Sequence, residues 1–311
     1  MSMPRHPSLD GDYPDGRAPL GGSVIRVAAW NDGDEVNLAS RTLARLAEFG
    51  IKVPSNSRLP EAKKNLERTY RFHVHFGPDD PATEEWVAEA KRTIIELSLI
   101  IVALASRAVE IRKQLQEVLG GPAVPHDGRQ DKARDAQAEL LVAAALVAGG
   151  YSIDFAEPDL VAPDLMGSRA GVAIKRVASK REDQIEKRLR EARDQLVRNN
   201  LRGIIVVNAE RHLARLYHAN RGADLSAELF RKVTEWLDYI HGRDPLMHVI
   251  GVVGVSTSIR LVRHSQSFDF RLHFNSQFLV AKESETQALQ EQFEKLSTRM
   301  GEGLQRIAQM L

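Results

Sequence analysis

The chain contains no cysteine among its 311 residues. Disulfides and thiolate-rich metal sites are therefore excluded, and the composition fits a reducing compartment. A cytoplasmic location is the expectation. Any metal must be held by Asp, Glu, His, backbone carbonyls and water, which favours a hard cation, Mg²⁺ or Mn²⁺. Net charge is also nearly absent, at a formal +1. The molecule as a whole is thus not a basic nucleic-acid binder, although a balanced total can conceal a basic face. No apolar run is long enough to cross a bilayer, which takes ~20 residues. The most apolar stretch, Thr93 to Ala105, is interrupted by Glu96, so no membrane partner is expected. Met1 to Gly22 lacks an apolar h-region and is rich in Pro, Gly, Asp and Ser. It reads as a flexible tail and not as a signal peptide.

What remains is a chain with 43% hydrophobic residues, enough for a sizeable core, and a length that allows about two domains. After the tail, residues 23–120 read as a mainly helical region. Val24 to Ala29 is a short strand, Asn31 to Asp34 a turn, and Val36 to Phe49 an amphipathic helix stopped by Gly50. Tyr70 to Phe76 alternates like a strand, with His73 and His75 on one face and no third metal ligand nearby in sequence. Thr83 to Leu119 reads as one continuous helix of ~55 Å. Its middle is apolar on nearly every side, which implies burial against several elements or a partner subunit. A homo-oligomer through the long helices is one expectation from it. Gly120 to Arg134, with two prolines and three glycines, reads as a linker over residues 121–134. Residues 135–282 then read as an α/β domain. Residues 283–311 form a closing helix whose Leu289, Phe293, Leu296, Met300 and Leu304 make one stripe.

The second domain carries the chemistry-bearing residues. Ala133 to Ala148 reads as a helix with Glu139 in its middle. Tyr151 to Phe155 and Glu157 to Ala162 read as strands, and Val172 to Lys175 as a third after a turn near Gly167. A charged helix, Glu182 to Asn199, leads to a buried strand, Gly203 to Asn208. Further strands follow over Met247 to Ser256, Ile259 to His264 and Phe268 to Phe274. Two Pro-Asp pairs compete, Pro158-Asp159 and Pro163-Asp164. A turn centred near Gly167 sets Asp159 across from Lys175 and Val161 across from Ala173, and leaves Asp164 in the loop. Ala173 and Lys175 share a strand face.

This order of elements resembles the PD-(D/E)XK, or restriction-endonuclease-like, nuclease superfamily. The resemblance is carried by Glu157-Pro158-Asp159-Leu160, Val172-Ala173-Ile174-Lys175-Arg176 and Gln195-Leu196, over about a quarter of the chain. It implies a central mixed sheet flanked by helices and Mg²⁺- or Mn²⁺-dependent hydrolysis of DNA phosphodiesters, RNA being a further candidate. A place in bacterial defence or repair would suit it. Glu139, Glu157 and Asp159 become the metal ligands, Lys175 the group that assists the water, and Gln195 a further site residue. Arg176, Lys180 and Arg181 follow the site where a phosphate backbone would pass. The departure is Ala173, where the pattern expects a carboxylate. The competing expectation is a catalytically inactive nuclease fold that binds nucleic acid or a protein without cutting.

Overall fold

A computed structural model describes residues 22–30, 34–71, 81–121, 131–165, 167–178, 181–211, 213, 225–241, 248–263, 268–280 and 286–311. The expected tail to residue 21, the turn at 31–33, the two histidines at 73 and 75, the linker over 122–130 and Lys180 lie outside these residues.

The sheet is built from six strands. They are β1 (Gly22–Trp30), β2 (Leu160–Leu165), β3 (Ser168–Arg176), β4 (Gly203–Asn208), β5 (Val249–Arg263) and β6 (Phe268–Val280), in the spatial order β1-β6-β5-β4-β3-β2. The central pairs β3–β4 and β4–β5 are parallel, and the outer pairs are antiparallel. Helices cover both faces, so the central strands are apolar on every residue and not on alternate ones. Val172, Ile174, Ile204 and Val206 enter one core, while Ala173, Ile205 and Val207 enter the other.

The first core lies beneath α1 (Asp34–Glu48), α2 (Arg58–Arg71), α3 (Pro81–Ala103), α4 (Arg112–Gly120), α5 (Lys132–Ala148) and the closing helix α8 (Thr286–Gln309). Helices before Gly120 and strands after it therefore share one hydrophobic core. The second core lies beneath α6 (Glu182–Arg198) and α7 (Leu225–His241). Amphipathic spacing explains α6: Ile185, Leu189, Ala192 and Leu196 recur every three or four residues and all are buried. Alpha5 differs, with its second half, Leu140 to Ala148, apolar all round, because α3, α4, α8 and β3 pack against the helix. Asp131 caps it by accepting the Arg134 N–H. The linker reading therefore ends early, since residues 132–134 are already the helix's first turn. Where α8 crosses the end of α5, a Cβ on Gly303 would lie 2.3 Å from the Ala148 carbonyl carbon. Only glycine allows that approach.

Several boundaries differ from the sequence expectation. The long helix expected from Thr83 stops at Ala103 and restarts at Arg112, with a 3-10 turn over Ala105–Arg107 between. At the break, Arg107 donates to the Ile153 carbonyl at 2.5 Å and lies 5.0 Å from the Phe155 ring. That break lets α4 fold back on α5, and the middle of α3 is buried inside the chain itself. Tyr70 and Arg71 end α2 and are not strand residues. Tyr151 to Phe155 makes a single bridge, Asp154 with Val161, and no strand. Asp164 lies inside β2, exposed, and not in a loop. Beta5 runs unbroken through Ser256-Thr257-Ser258, where a strand end was expected.

Alpha3 also carries a buried ionic network. Glu89 is shared by Arg58, Arg92 and Arg134. Glu96 accepts from Gln137 and Thr257, and Arg92 reaches Glu210 just after β4. These contacts tie α3 to α5, to the end of β4 and to the middle of β5. Arg134 and Gln137 face α3, while Asp135 and Glu139 of the same helix face the other way.

Candidate active-site cleft

Beta3 ends where its side chains change surroundings. Ala173 faces the α6 side and is fully buried, whereas Lys175, two residues on, emerges half-buried at the strand's end. The hairpin register differs from expectation by two residues: Val161 pairs with Gly171 and Leu160 with Val172. The turn closes tightly, Leu165 opposite Ser168, and an irregularity between Ala162 and Leu165 shifts the pairing further. Asp159 nevertheless reaches the same place. It precedes β2, and its Oδ2 accepts the Ile174 N–H at 2.6 Å, in place of a ladder partner. The same oxygen lies 3.4 Å from Lys175 Nζ, and the two side chains are only 13% and 12% exposed. Gln195, late in α6, donates to the Pro158 carbonyl at 3.0 Å and so holds the approach to Asp159.

Glu139 joins them from α5. Lys132, Asp135, Ala136 and Glu139 recur at helical spacing, so they form one face of that helix. This face is one wall of a cleft of about 300 Å³. Ile174, Lys175 and Arg176 form its floor, Arg188 and Glu191 of α6 a second wall, and Gln114 and Glu117 of α4 a third. Burial first, and then the nearby Asp159 charge, push the Glu139 carboxyl up to about 7 against the opposing pull of Lys175. Burial likewise raises Asp159 above the usual carboxylate range, offset by Lys175 and the Ile174 N–H.

No family model, no curated protein and no solved structure matches the chain.

The structure thus brings together Glu139, Asp159 and Lys175, places Arg176 in the same cleft and Gln195 on the Pro158 carbonyl, and leaves Glu157 and Arg181 apart. Glu157 is exposed, and Arg181 is exposed and pairs with Asp183 at 2.7 Å. Arg176 is buried and held by Asp135 at 3.3 Å. Sequence reasoning missed Asp135, Arg188, Glu117 and Glu191. The three- and four-residue spacing of Lys132, Asp135 and Glu139 was a signal for the first. Nothing in the sequence points to Glu117, which arrives from a helix before the linker. Among the described residues no group of three or more His, Asp or Glu is placed to hold a metal ion. Two desolvated carboxylates are nevertheless an adequate protein share for Mg²⁺, which keeps several waters and commonly takes one or two carboxylates.

Two predictions follow from these surroundings. Ala173 lies at 0% exposure against α6, so Ala173→Glu strands a carboxylate in hydrocarbon. We expect a loss of about 3 kcal/mol or more in urea unfolding and no tighter Mn²⁺ binding. Tighter binding in a metal titration would show that position 173 reaches the cleft after all. Glu139 supplies the second. Its folded-state affinity for protons is raised, so its contribution to stability is complete below the ordinary value of 4.5 and is lost as pH rises through about 7. That loss is on the order of 3 kcal/mol. Glu139→Gln therefore raises Tm by several degrees at pH 8 and leaves it nearly unchanged at pH 4.5. An equal effect at both values would remove the assigned protonation state.

Proposed function

We propose that the cleft is the active site of a metal-dependent nuclease that hydrolyses DNA phosphodiesters, on a restriction-endonuclease-like core. The order of elements supports that core: a helix bearing Glu139, the β2–β3 hairpin, α6, and then β4 parallel to β3. One observation carries the functional reading. Asp159, Lys175 and Glu139 come from three separate segments and converge at one polar cleft, with Lys175 and Glu139 in its lining and Asp159 beside Lys175, and the carboxyls of Asp159 and Glu139 hold protons more tightly than usual.

Each residue has a role in this reading. Asp159 and Glu139 would hold a Mg²⁺ ion, which supplies charge stabilisation at phosphate and acidifies water. Their raised proton affinity has the same origin as their attraction for a divalent cation, namely negative charge with too little water around it. The Lys175 ammonium favours the charged form of Asp159, orients a water and offsets charge that develops on the phosphate. Gln195 positions the turn that presents Asp159 and does not itself face the cleft lining. Since Glu139 must be anionic to bind a cation, activity should rise as pH passes about 7.

A second reading, a nuclease fold that binds DNA without cutting it, is favoured by Ala173 at the position of a missing acid. Purified protein incubated with supercoiled plasmid and Mg²⁺ or Mn²⁺ separates the two. Nicking supports the enzyme. Retention of DNA without nicking supports the binding module, and neither outcome removes both.

A further inference from the structure

The cleft has two electrical halves. Toward Glu139 the lining carboxylates Glu117, Glu139 and Glu191 outnumber the single ammonium of Lys175. Toward the start of α5 the balance reverses: Lys132, Arg176 and Arg188 surround one carboxylate, Asp135. Arg176 Nε lies 3.3 Å from Asp135 Oδ1, and Arg188 Nη1 lies 3.5 Å from Oδ2. Both contacts are longer than the ~2.7–2.9 Å of a close charge-assisted hydrogen bond. One carboxylate is thus shared between two guanidinium groups, each at the long end of hydrogen-bond range. The positive end of the α5 backbone lies on the same side, because residues 132 and 135 belong to its first turn.

We propose that Arg176 and Arg188, held side by side by Asp135 with Lys132 at the rim, form a seat for a phosphate group next to the one that reacts. The carboxylate of Asp135 serves as an internal placeholder: its two oxygens occupy the guanidinium pair as two phosphate oxygens would. The spacing suits a polynucleotide. Asp135 and Glu139 are one helical turn apart, ~6 Å along α5, about the step between neighbouring phosphates of an extended strand. On α6 the same order recurs, with Arg188 beside the cationic half, Glu191 one turn on, and Gln195 beyond it near Asp159. A strand laid along the cleft therefore meets cations at one phosphate and carboxylates at the next. The inference rests on the nuclease reading for the identity of the reacting phosphate, but the seat itself requires only binding.

Binding is accordingly tested apart from cleavage, with a fluorescein-labelled oligothymidylate and the full chain in EDTA, by anisotropy across a salt series. Arg188→Gln should weaken binding about tenfold and reduce the log–log salt slope by about 1. Lys187→Gln, an exposed neighbour on α6 outside the cleft, should change the slope far less. Asp135→Asn is the decisive variant. Removal of the placeholder takes away the counter-charge that the two guanidinium groups share, so affinity should increase severalfold even if Tm falls. A purely structural role for Asp135 predicts weaker binding instead. Equal slopes for the 187 and 188 variants, weaker binding by Asp135→Asn, or no binding by the wild type at low salt would each overturn the seat. Oligonucleotide binding with these shifts but no plasmid nicking would retain the seat and sink the nuclease.

Discussion

Lys175→Ala should reduce Mg²⁺-dependent plasmid nicking by about 10²- to 10³-fold, the usual cost of one well-placed charge stabiliser. Two effects combine. On the nuclease reading the ammonium that would face the reacting phosphate is lost, and Asp159, already pushed upward by burial, loses the partner 3.4 Å away that favours its charged form. Asp159→Asn isolates the second effect. Its amide oxygen can still accept the Ile174 N–H that Asp159 Oδ2 takes at 2.6 Å, so the hairpin should survive with little change in Tm while nicking falls by a similar factor. Full nicking by either variant, measured at matched folded fraction, ends the assignment. Restoration of Asp159→Asn by high Mn²⁺ but not of Lys175→Ala would separate cation binding from water activation.

The largest effect on stability is expected at Glu89. This carboxylate is only 6% exposed and is shared by three guanidinium groups, those of Arg58, Arg92 and Arg134. Glu89→Gln removes their common counter-charge and should cost about 3–5 kcal/mol, the range for breaking a buried ion pair from one side. The control is Glu67→Gln. Glu67 pairs with Lys63 at 2.8 Å on the surface of α2 at 42% exposure, so its loss should cost less than about 0.5 kcal/mol. Urea unfolding of both variants makes the comparison. A cost below 1 kcal/mol at Glu89 would mean that water reaches the network. Nicking should also weaken in Glu89→Gln, because Arg134 and Glu139 lie on the same helix.

The parts of this molecule that were legible in the sequence are those fixed by local periodicity. The apolar run Gly203–Asn208 is the buried strand it reads as, and the three- and four-residue spacing of the last helix packs as written, with Phe293, Leu296, Met300 and Leu304 buried. Asp159 and Lys175 were found through the order of elements, and they meet although the register between them was misjudged. The tight turn and the irregularity in β2 together moved the pairing by two residues, and a side-chain carboxylate took over a backbone partner. What could not be read was decided at long range. The break in the long helix at Ala103 carries no glycine or proline and depends on contacts of Arg107 about 46 positions away. Arg188 and Glu117 become neighbours of Glu139 only through packing of α4 and α6 against α5. Arg176, which reads as a phosphate contact, is buried and paired with Asp135 in the cleft, a partner that no local pattern announces.

The crossing at Gly303 has a consequence for the cleft. There the terminal helix rests on the peptide plane of Ala148 with no side chain between, so that contact acts as a fulcrum for α5. Any bulkier residue would tilt the helix, and the displacement would grow toward the opposite extremity, where Lys132 and Asp135 stand. Alignment of one chamber wall is in this way governed by a hydrogen atom more than a hundred and fifty positions downstream.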